Sequence, residues 1–320
     1  MNYIVFPFIR NGERIAVWLL LLLPALLCLP LHGAVEFEKA NGGVDVRIEG
    51  DIFTRYNFAD SEFPFFYPLK APGGVNVTRH WPMSDAGENE QHDHKHHKSL
   101  WFTHGDVNGL DFWHGKASIV QTAIVAMRSG ENEGTLITEN EWRDDKGEVV
   151  CKDTRHYRFG AQESYRYIDI DIQIEPNGKD LRFGDTKEGT MAVRVAPELR
   201  LKGKVAKGHI LMKNGIRDGK AWGKRSPWCY YYGPIDKQVY GVAIFDSPRN
   251  LRHPTWWHAR DYGLCTANPF GISYFDRKPK GTGDHVVKTG DVFNLRYKII
   301  ISKGQLSERE LNQLYSQYSQ

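Results

Sequence analysis

Cysteine is scarce in this chain, with four in 320 residues, and Cys28 lies in an N-terminal apolar run, leaving Cys151, Cys229 and Cys265. An odd number without C-x-x-C spacing excludes a disulfide framework and a thiolate metal site. The three are expected to be core thiols, with at most one pair among them. Charge of one sign is lacking too. The net charge is only +3, and basic residues are interspersed with acidic ones, so there is no footprint for nucleic acid. After Gly33 no apolar stretch is long enough to cross a bilayer, and no membrane span is expected there. Walker A loops, a G-x-G-x-x-G after a strand and the G-x-S-x-G elbow are all missing. Nucleotide chemistry and serine hydrolysis are thereby disfavoured.

What long hydrophobic sequence exists sits at the start. Arg10 and Arg14 precede the run Ile15 to Leu31, IAVWLLLLLPALLCLPL, in the charged-then-apolar layout of a secretory signal. Pro24 and Pro30 break it, which makes it a poor spanning helix. Small residues Gly33 and Ala34 end the run, where cleavage is expected. Residues 1–34 are read as a signal peptide and 35–320 as a single exported domain, periplasmic or extracellular. Retention of the segment as an anchor is the alternative.

The rest of the chain alternates with period two, the signature of half-buried strands. Tyr165 to Ile174, YRYIDIDIQI, is the clearest case. Val44–Glu49, Ser118–Arg128, Gly134–Arg143, Thr154–Phe159, Thr190–Ala196, Val239–Asp246 and Val292–Ser302 read the same way. Turn pairs such as Asn177-Gly178 and Asp218-Gly219 separate them. Glu62–Gly74, rich in Pro, Gly and aromatics, is expected to be an ordered loop. Only the C-terminus looks helical, where Ser307 and Glu310 match a capping box and Leu311, Leu314 and Tyr315 form a stripe. The fold class is all-β, a single large antiparallel sandwich with a short C-terminal helix.

Two segments concentrate chemistry. His92 to Trp113 reads HDHKHHKSLWFTHGDVNGLDFW, and Arg252 to Gly271 reads RHPTWWHARDYGLCTANPFG. Imidazoles and carboxylates at this density suit metal binding or acid/base work. His92 and His94 read best as a solvated loop. His97, His104 and Asp106 flank the apolar Leu100, Trp101 and Phe102, which should anchor them. A metal set of His96, His97 and His104 is one outcome; free acid/base imidazoles are the other. Trp256 and Trp257 should point to opposite faces of a strand, one inward and one lining a cleft. His253, His258, Arg260 and Asp261 are charged or polar enough to resist a core. Glu188, in a glycine-bounded loop before a strand, is a general-base candidate, with Arg194 on that strand. The segment Ala221–Gly233 adds Trp222 and reads as carbohydrate contact or a packed hairpin edge.

The motifs SLWFTHGDVNGLDFW, GDTKEGTMAVRVAPEL and NLRHPTWWHARDYGLCTANPFG together resemble the bacterial exported family labelled PmoA, over nearly all of residues 35–320. That label denotes a subunit of a copper methane oxygenase, a polytopic membrane protein, whereas this chain has one N-terminal apolar segment. The resemblance instead implies a domain of unknown activity with a galactose-mutarotase-like supersandwich, in which histidines and carboxylates handle a sugar. The family's motif positions fall here on His97, His104, Asp106, Asn108, Glu188, Arg194, His253, His258, Arg260, Asp261 and Asn268.

The functional expectation is an exported carbohydrate-active enzyme, a lyase, hydrolase or epimerase acting on a glycoside or oxidised sugar. His97, His104, Glu188 and His258 are the expected catalytic groups. Asp106, Asn108, Arg194, His253, Trp257, Arg260, Asp261 and Asn268 are the expected substrate contacts, with a small molecule or oligosaccharide as partner. No cofactor is specified, beyond a divalent metal as an alternative stabiliser of an oxyanion. The competing readings are a non-catalytic sugar-binding protein and a copper- or zinc-binding protein.

Overall fold

The computed structural model describes residues 33–320, together with the backbone of Phe8–Arg10 and Glu13–Ile15. Those two short strands pair antiparallel in a unit of Met1–Leu31, separate from the unit His32–Gln320. Apart from them and Gly33–Ala34, the expected signal segment lies outside the described residues.

The larger sheet of His32–Gln320 has nine strands. In spatial order they are Ile216–Arg217, His209–Met212, Trp228–Ile235, Gln238–Asp246, Phe293–Lys303, Tyr165–Pro176, Val149–Gln162, Glu133–Arg143 and Ser118–Arg128. The smaller has eight: Trp256–Trp257, Leu264–Asn268, Gly189–Arg194, Leu100–His104, Phe65–Leu69, Asp51–Asn57, Gly43–Ile48 and Val35–Ala40. Every pairing is antiparallel. The all-β sandwich expected from the alternation is what forms.

The pleat explains why. In Tyr165–Pro176 the isoleucines Ile168, Ile170, Ile172 and Ile174 turn inward and are buried. Asp169 and Asp171 turn outward, opposite Lys298 and Arg296 on the neighbouring strand, and pair with them. The two inner faces meet through aromatic contacts such as Phe66 on Tyr157 (4.9 Å) and Phe102 on Trp142 (6.2 Å). The helix Glu308–Tyr318 carries the expected capping box, Ser307 Oγ accepting from Glu310 N–H (3.3 Å) while Glu310 accepts from Ser307 N–H (2.8 Å). It buries Leu311 against Trp228, Tyr230 and Phe245 on the outer face of the larger sheet. The three described cysteines are free and buried. Cys229 and Cys265 approach closely enough for a thiol–thiol hydrogen bond.

Strands not anticipated from the sequence include Val35–Ala40, His209–Met212, Asp51–Asn57, Phe65–Leu69, Leu100–His104, Trp228–Ile235 and Leu264–Asn268. Phe65–Leu69 lies within the segment expected to be a loop. The last three are buried at nearly every position, because loops or the other sheet cover both faces. Period-two contrast is therefore erased in them.

Register decides which residues of the smaller sheet reach the site. Leu100, Phe102 and His104 sit opposite Val193, Met191 and Gly189, and directly opposed residues share a face. Phe102 touches the larger sheet, so His104 also faces inward. Trp101, Arg194, Phe65 and Tyr67 fall on the outer face.

Candidate functional site

The outer face of the smaller sheet carries a cluster of imidazoles held by buried arginines. Arg79, Arg194 and Arg200 are each at most 1% exposed, and all three bind the loop before Leu100. Arg79 donates to the carbonyls of Asp93 (3.1 Å), His94 (3.3 Å) and Gln91. Arg194 holds the Asp93 carboxylate (3.0 and 3.2 Å) and the Nδ1 of His97 (2.9 Å), and Arg200 holds Glu90 (3.2 Å). Burial raises the Asp93 carboxyl, but His94, Arg194 and Arg79 together hold it well below the usual carboxylate range.

That clamp fixes the ring geometry. His97 stacks on Trp101 (5.5 Å) and on His94 (4.7 Å), and His96 meets His97 and His114 edge-on, each at 4.5 Å. Arg194 can only donate, so His97 Nδ1 accepts and its proton sits on Nε2. Burial, with the adjacent Arg194, pushes the His97 pKa well down. Burial also lowers His96 to about 4, helped by His114 and His94 and opposed by the Glu188 and Asp111 carboxylates.

The second wall comes from residues 186–188 and 257–262. Asn268 Oδ1 accepts from the Phe270 and Gly271 amides (2.8 and 3.0 Å), and its Nδ2 donates to Thr186 O (2.9 Å). This seats the loop bearing Lys187 and Glu188, which pair with each other. His258 donates from Nδ1 to the Lys187 carbonyl (3.0 Å), leaving Nε2 with no hydrogen-bond partner among the described residues. Burial lowers His258 to about 4 against the opposing pull of the Lys187 carbonyl and Glu188. Tyr262 stacks on His94 (5.4 Å), with Arg194 at 4.6 Å and Arg260 at 5.3 Å over its ring. Burial raises the Tyr262 hydroxyl, and the Glu188 charge adds to this. Glu188 thus bears on His96, His258 and Tyr262 at once. Trp222, 37% exposed, lies edge-on to His258 at 6.5 Å.

Of the residues singled out from the sequence, His96, His97, Glu188, Arg194, His258 and Arg260 come together here, with Asn268 supporting them. The others do not. His104 is fully buried on the inner face against Phe270 (4.8 Å), donating from Nε2 to Gly184 O (2.8 Å). It cannot share a ligand with His96 and His97 across the sheet. With His97 Nδ1 already taken by a guanidinium, those three do not fit a metal ion. No group of three or more His, Cys, Asp or Glu side chains able to hold a metal occurs among the described residues.

Asp106 and Asn108 instead fasten Arg182, the first by its carboxylate (2.9 Å) and the second by accepting from the Arg182 amide (2.7 Å). His253 lies under the C-terminal helix, bonded to buried Asp246 (2.7 Å) and to Tyr315 (3.2 Å). The two tryptophans do face opposite ways. Trp257, expected as a sugar contact, is the inward one, fully buried with its indole N–H on Ser226 O (2.8 Å). Trp256 faces outward but is capped by Arg225 at 4.4 Å. Asp261 is exposed and serves through its carbonyl, which accepts from Leu201 and Lys202. Sequence reasoning missed His114 and Tyr262. His114 follows the histidine segment by one residue and is oriented by Asp111 (2.9 Å).

Among curated proteins none matches this chain. Solved structures similar to it include the α-galactosidase of Lactobacillus brevis, at 11% identity and a TM-score of 0.40, covering 90% of this chain and 41% of that one. A GH36 α-galactosidase of Geobacillus stearothermophilus in complex with raffinose shows 11% identity and a TM-score of 0.42, covering 84% and 41%. A galactose mutarotase related enzyme of Lactobacillus acidophilus shows 11% identity and a TM-score of 0.29, covering 85% and 100%. This chain spans about two fifths of the length of the two α-galactosidases. The PmoA label is not the description of the family that matches. That match runs over residues 43–316, and the chain belongs to the Family of unknown function (DUF6807).

Proposed function

We propose that this protein is an exported carbohydrate-active enzyme that works on a glycoside or oxidised sugar by histidine–glutamate acid/base chemistry. The observation that carries the reading is His258 fastened by Nδ1 to the carbonyl of Lys187 (3.0 Å), next to Glu188, with burial lowering both His258 and His96 to about 4 against the pull of the Glu188 carboxylate. Both are neutral at pH 7. His258 has its Nδ1 proton committed to a carbonyl, so Nε2 offers a lone pair of fixed direction, as a general base requires. Glu188, a carboxylate paired with Lys187, stabilises the imidazolium that forms on His258, and His258 itself returns the proton it took. Arg260, half-buried over Tyr262, is the cation available to a developing oxyanion. Arg194 and His97 are bound to one another and position the wall. Trp222 supplies an exposed apolar ring face beside His258, on which the C–H face of a sugar can stack. Export is supported by the charged-then-apolar N-terminal segment.

A panel of glycosides and 3-keto sugars, assayed with the full chain, tests this. His258→Ala and Glu188→Gln are each expected to lower kcat/KM at least about 100-fold, with the circular dichroism spectrum unchanged. The acid limb of the pH–rate profile is expected near 4, the value of the lowered imidazoles, rather than in the ordinary histidine range. Turnover that survives both replacements would remove the assignment. Sugar affinity without turnover, lost with Trp222→Ala but not His258→Ala, would make this a binding protein.

A further inference from the structure

The loop that presents the histidines has a second side. Lys95 and Lys98, interleaved with His94, His96 and His97, line a cavity of about 520 Å³ over the neighbouring strands of the same outer face. Arg55, Asn57, Phe65 and Tyr67 form its sheet side. Register explains the continuity. Phe65 sits directly opposite Trp101, and Trp101 carries His97 on its ring. Lys98 lies over Phe65 at 5.2 Å and pairs with Glu62 (2.6 Å), and all three line the cavity.

The lining is that of a site for a hydroxylated ring. Its volume falls in the range of small-molecule pockets. Arg55 is neutralised by Asp45 (3.7 Å) and Lys98 by Glu62 (2.6 Å). Asn57 spends its Nδ2 on the Arg55 and Tyr67 carbonyls (2.9 and 3.1 Å), which leaves its Oδ1 as an acceptor. Lys95, exposed, has no carboxylate partner among the described residues and adds donors. Phe65 and Tyr67 supply apolar ring surface. Donors, an acceptor and ring faces around a nearly neutral cavity match a pyranose better than a strongly charged ligand.

We propose that this cavity is a second sugar subsite, so that the substrate is an oligosaccharide with one ring at Glu188 and His258 and a further ring between Lys95 and Tyr67. The proposal rests on the carbohydrate reading of the histidine site. The cavity strands Phe65–Leu69 and Asp51–Asn57 lie two and three places from Gly189–Arg194 in the sheet. They lie four and five places from Trp256–Trp257, which His258 follows, so at one strand per ~4.8 Å the span is roughly 10 Å from the Glu188 side to 24 Å from the His258 side, a distance for a saccharide of three or more residues.

The test is a chain-length series of mono-, di- and trisaccharides in gluco, galacto and xylo configuration, both anomers. It is run on the full chain, on Lys95→Ala and on Ala59→Trp. Ala59 is an exposed cavity-lining residue, so an indole there obstructs the cavity without entering the core. The expected result is a kcat/KM at least tenfold higher for the trisaccharide than for the monosaccharide. Ala59→Trp should abolish that gain, Lys95→Ala should reduce it, and monosaccharide kinetics should be unchanged. Equal kcat/KM along the series, or a gain that Ala59→Trp leaves intact, overturns the subsite while leaving the catalytic reading standing. Calorimetric binding of the same saccharides to Glu188→Gln separates the two readings. Length-dependent binding blocked by Ala59→Trp, together with no turnover by the unsubstituted protein, supports the subsite and sinks the enzyme. No binding of any saccharide sinks both.

Discussion

Replacing Asp153 by Ala is expected to cost about 3–5 kcal/mol of folding stability, read as a fall in the urea midpoint at unchanged slope. The carboxylate is buried between the sheets and accepts from four donors. Asn140 Nδ2 lies at 2.6 Å, Trp142 Nε1 at 2.7 Å, and Arg155 Nε and Nη2 at 2.9 and 2.7 Å. Asn140 and Asp153 are directly opposed on adjacent strands, and Trp142 and Arg155 are each two residues further along, so the pleat turns all four inward. Arg155 is 1% exposed and lies over Phe102 at 5.4 Å, which ties the group to the opposite sheet. Burial alone would lower the Arg155 pKa, and Asp153 reverses this and carries it above the usual value. Without the carboxylate, a guanidinium remains in an apolar layer with nothing to balance it. Asp153→Leu combined with Arg155→Met should recover part of the loss, because no charge is left behind although the Asn140 and Trp142 donors lose their acceptor. A loss below about 1 kcal/mol for Asp153→Ala would show that water reaches the guanidinium and that the layer is not sealed.

That ion pair also marks where sequence reading stops. Alternation in Tyr165–Pro176 is legible because its inward residues are isoleucines and its outward ones charged. In Val149–Gln162 the inward set is Cys151, Asp153, Arg155, Tyr157 and Phe159, so the same pleat hides behind charged residues. Only the middle of that strand, Thr154–Phe159, was readable. Strand Leu100–His104 failed for the opposite reason, since both of its faces are covered. This mattered for function. Without that strand's register, His97 and His104 look equivalent, two histidines bracketing an apolar triplet. With it, one stands behind the site wall and the other in the core. Glu188 and His258 stood out in the sequence because one lies in a glycine-bounded loop and the other among polar residues beside tryptophans, although His258, expected to resist a core, is buried. Their proximity was not legible, since it depends on the turn that Asn268 ties to Thr186.

Acidification from pH 7 to 4 is expected to destabilise the protein by about 3 kcal/mol for each deeply buried neutral histidine. Burial lowers His104 and His258 from 6.5 to about 4, and His97 well below 6.5. The unfolded chain takes up protons near pH 6.5, whereas the folded chain refuses them until about 4. Between those values the unfolded state binds more protons, so stability is full above 6.5 and drains away as the pH falls toward 4. Asp93 acts in a separate window. Its folded pKa is depressed, so its stabilising contribution persists through the histidine range and is lost only at lower pH. Urea midpoints measured across pH 4 to 7 read the slope directly. His104→Gln keeps a donor for the Gly184 carbonyl but removes the proton site, and it should flatten part of the slope while sparing turnover. A slope that His104→Gln leaves unchanged would mean that the inner-face imidazole is hydrated and already titrates with solvent. The same replacement separates the two histidines that the sequence presents alike. An inner-face residue moves stability against pH and leaves the rate alone, whereas His258 moves both.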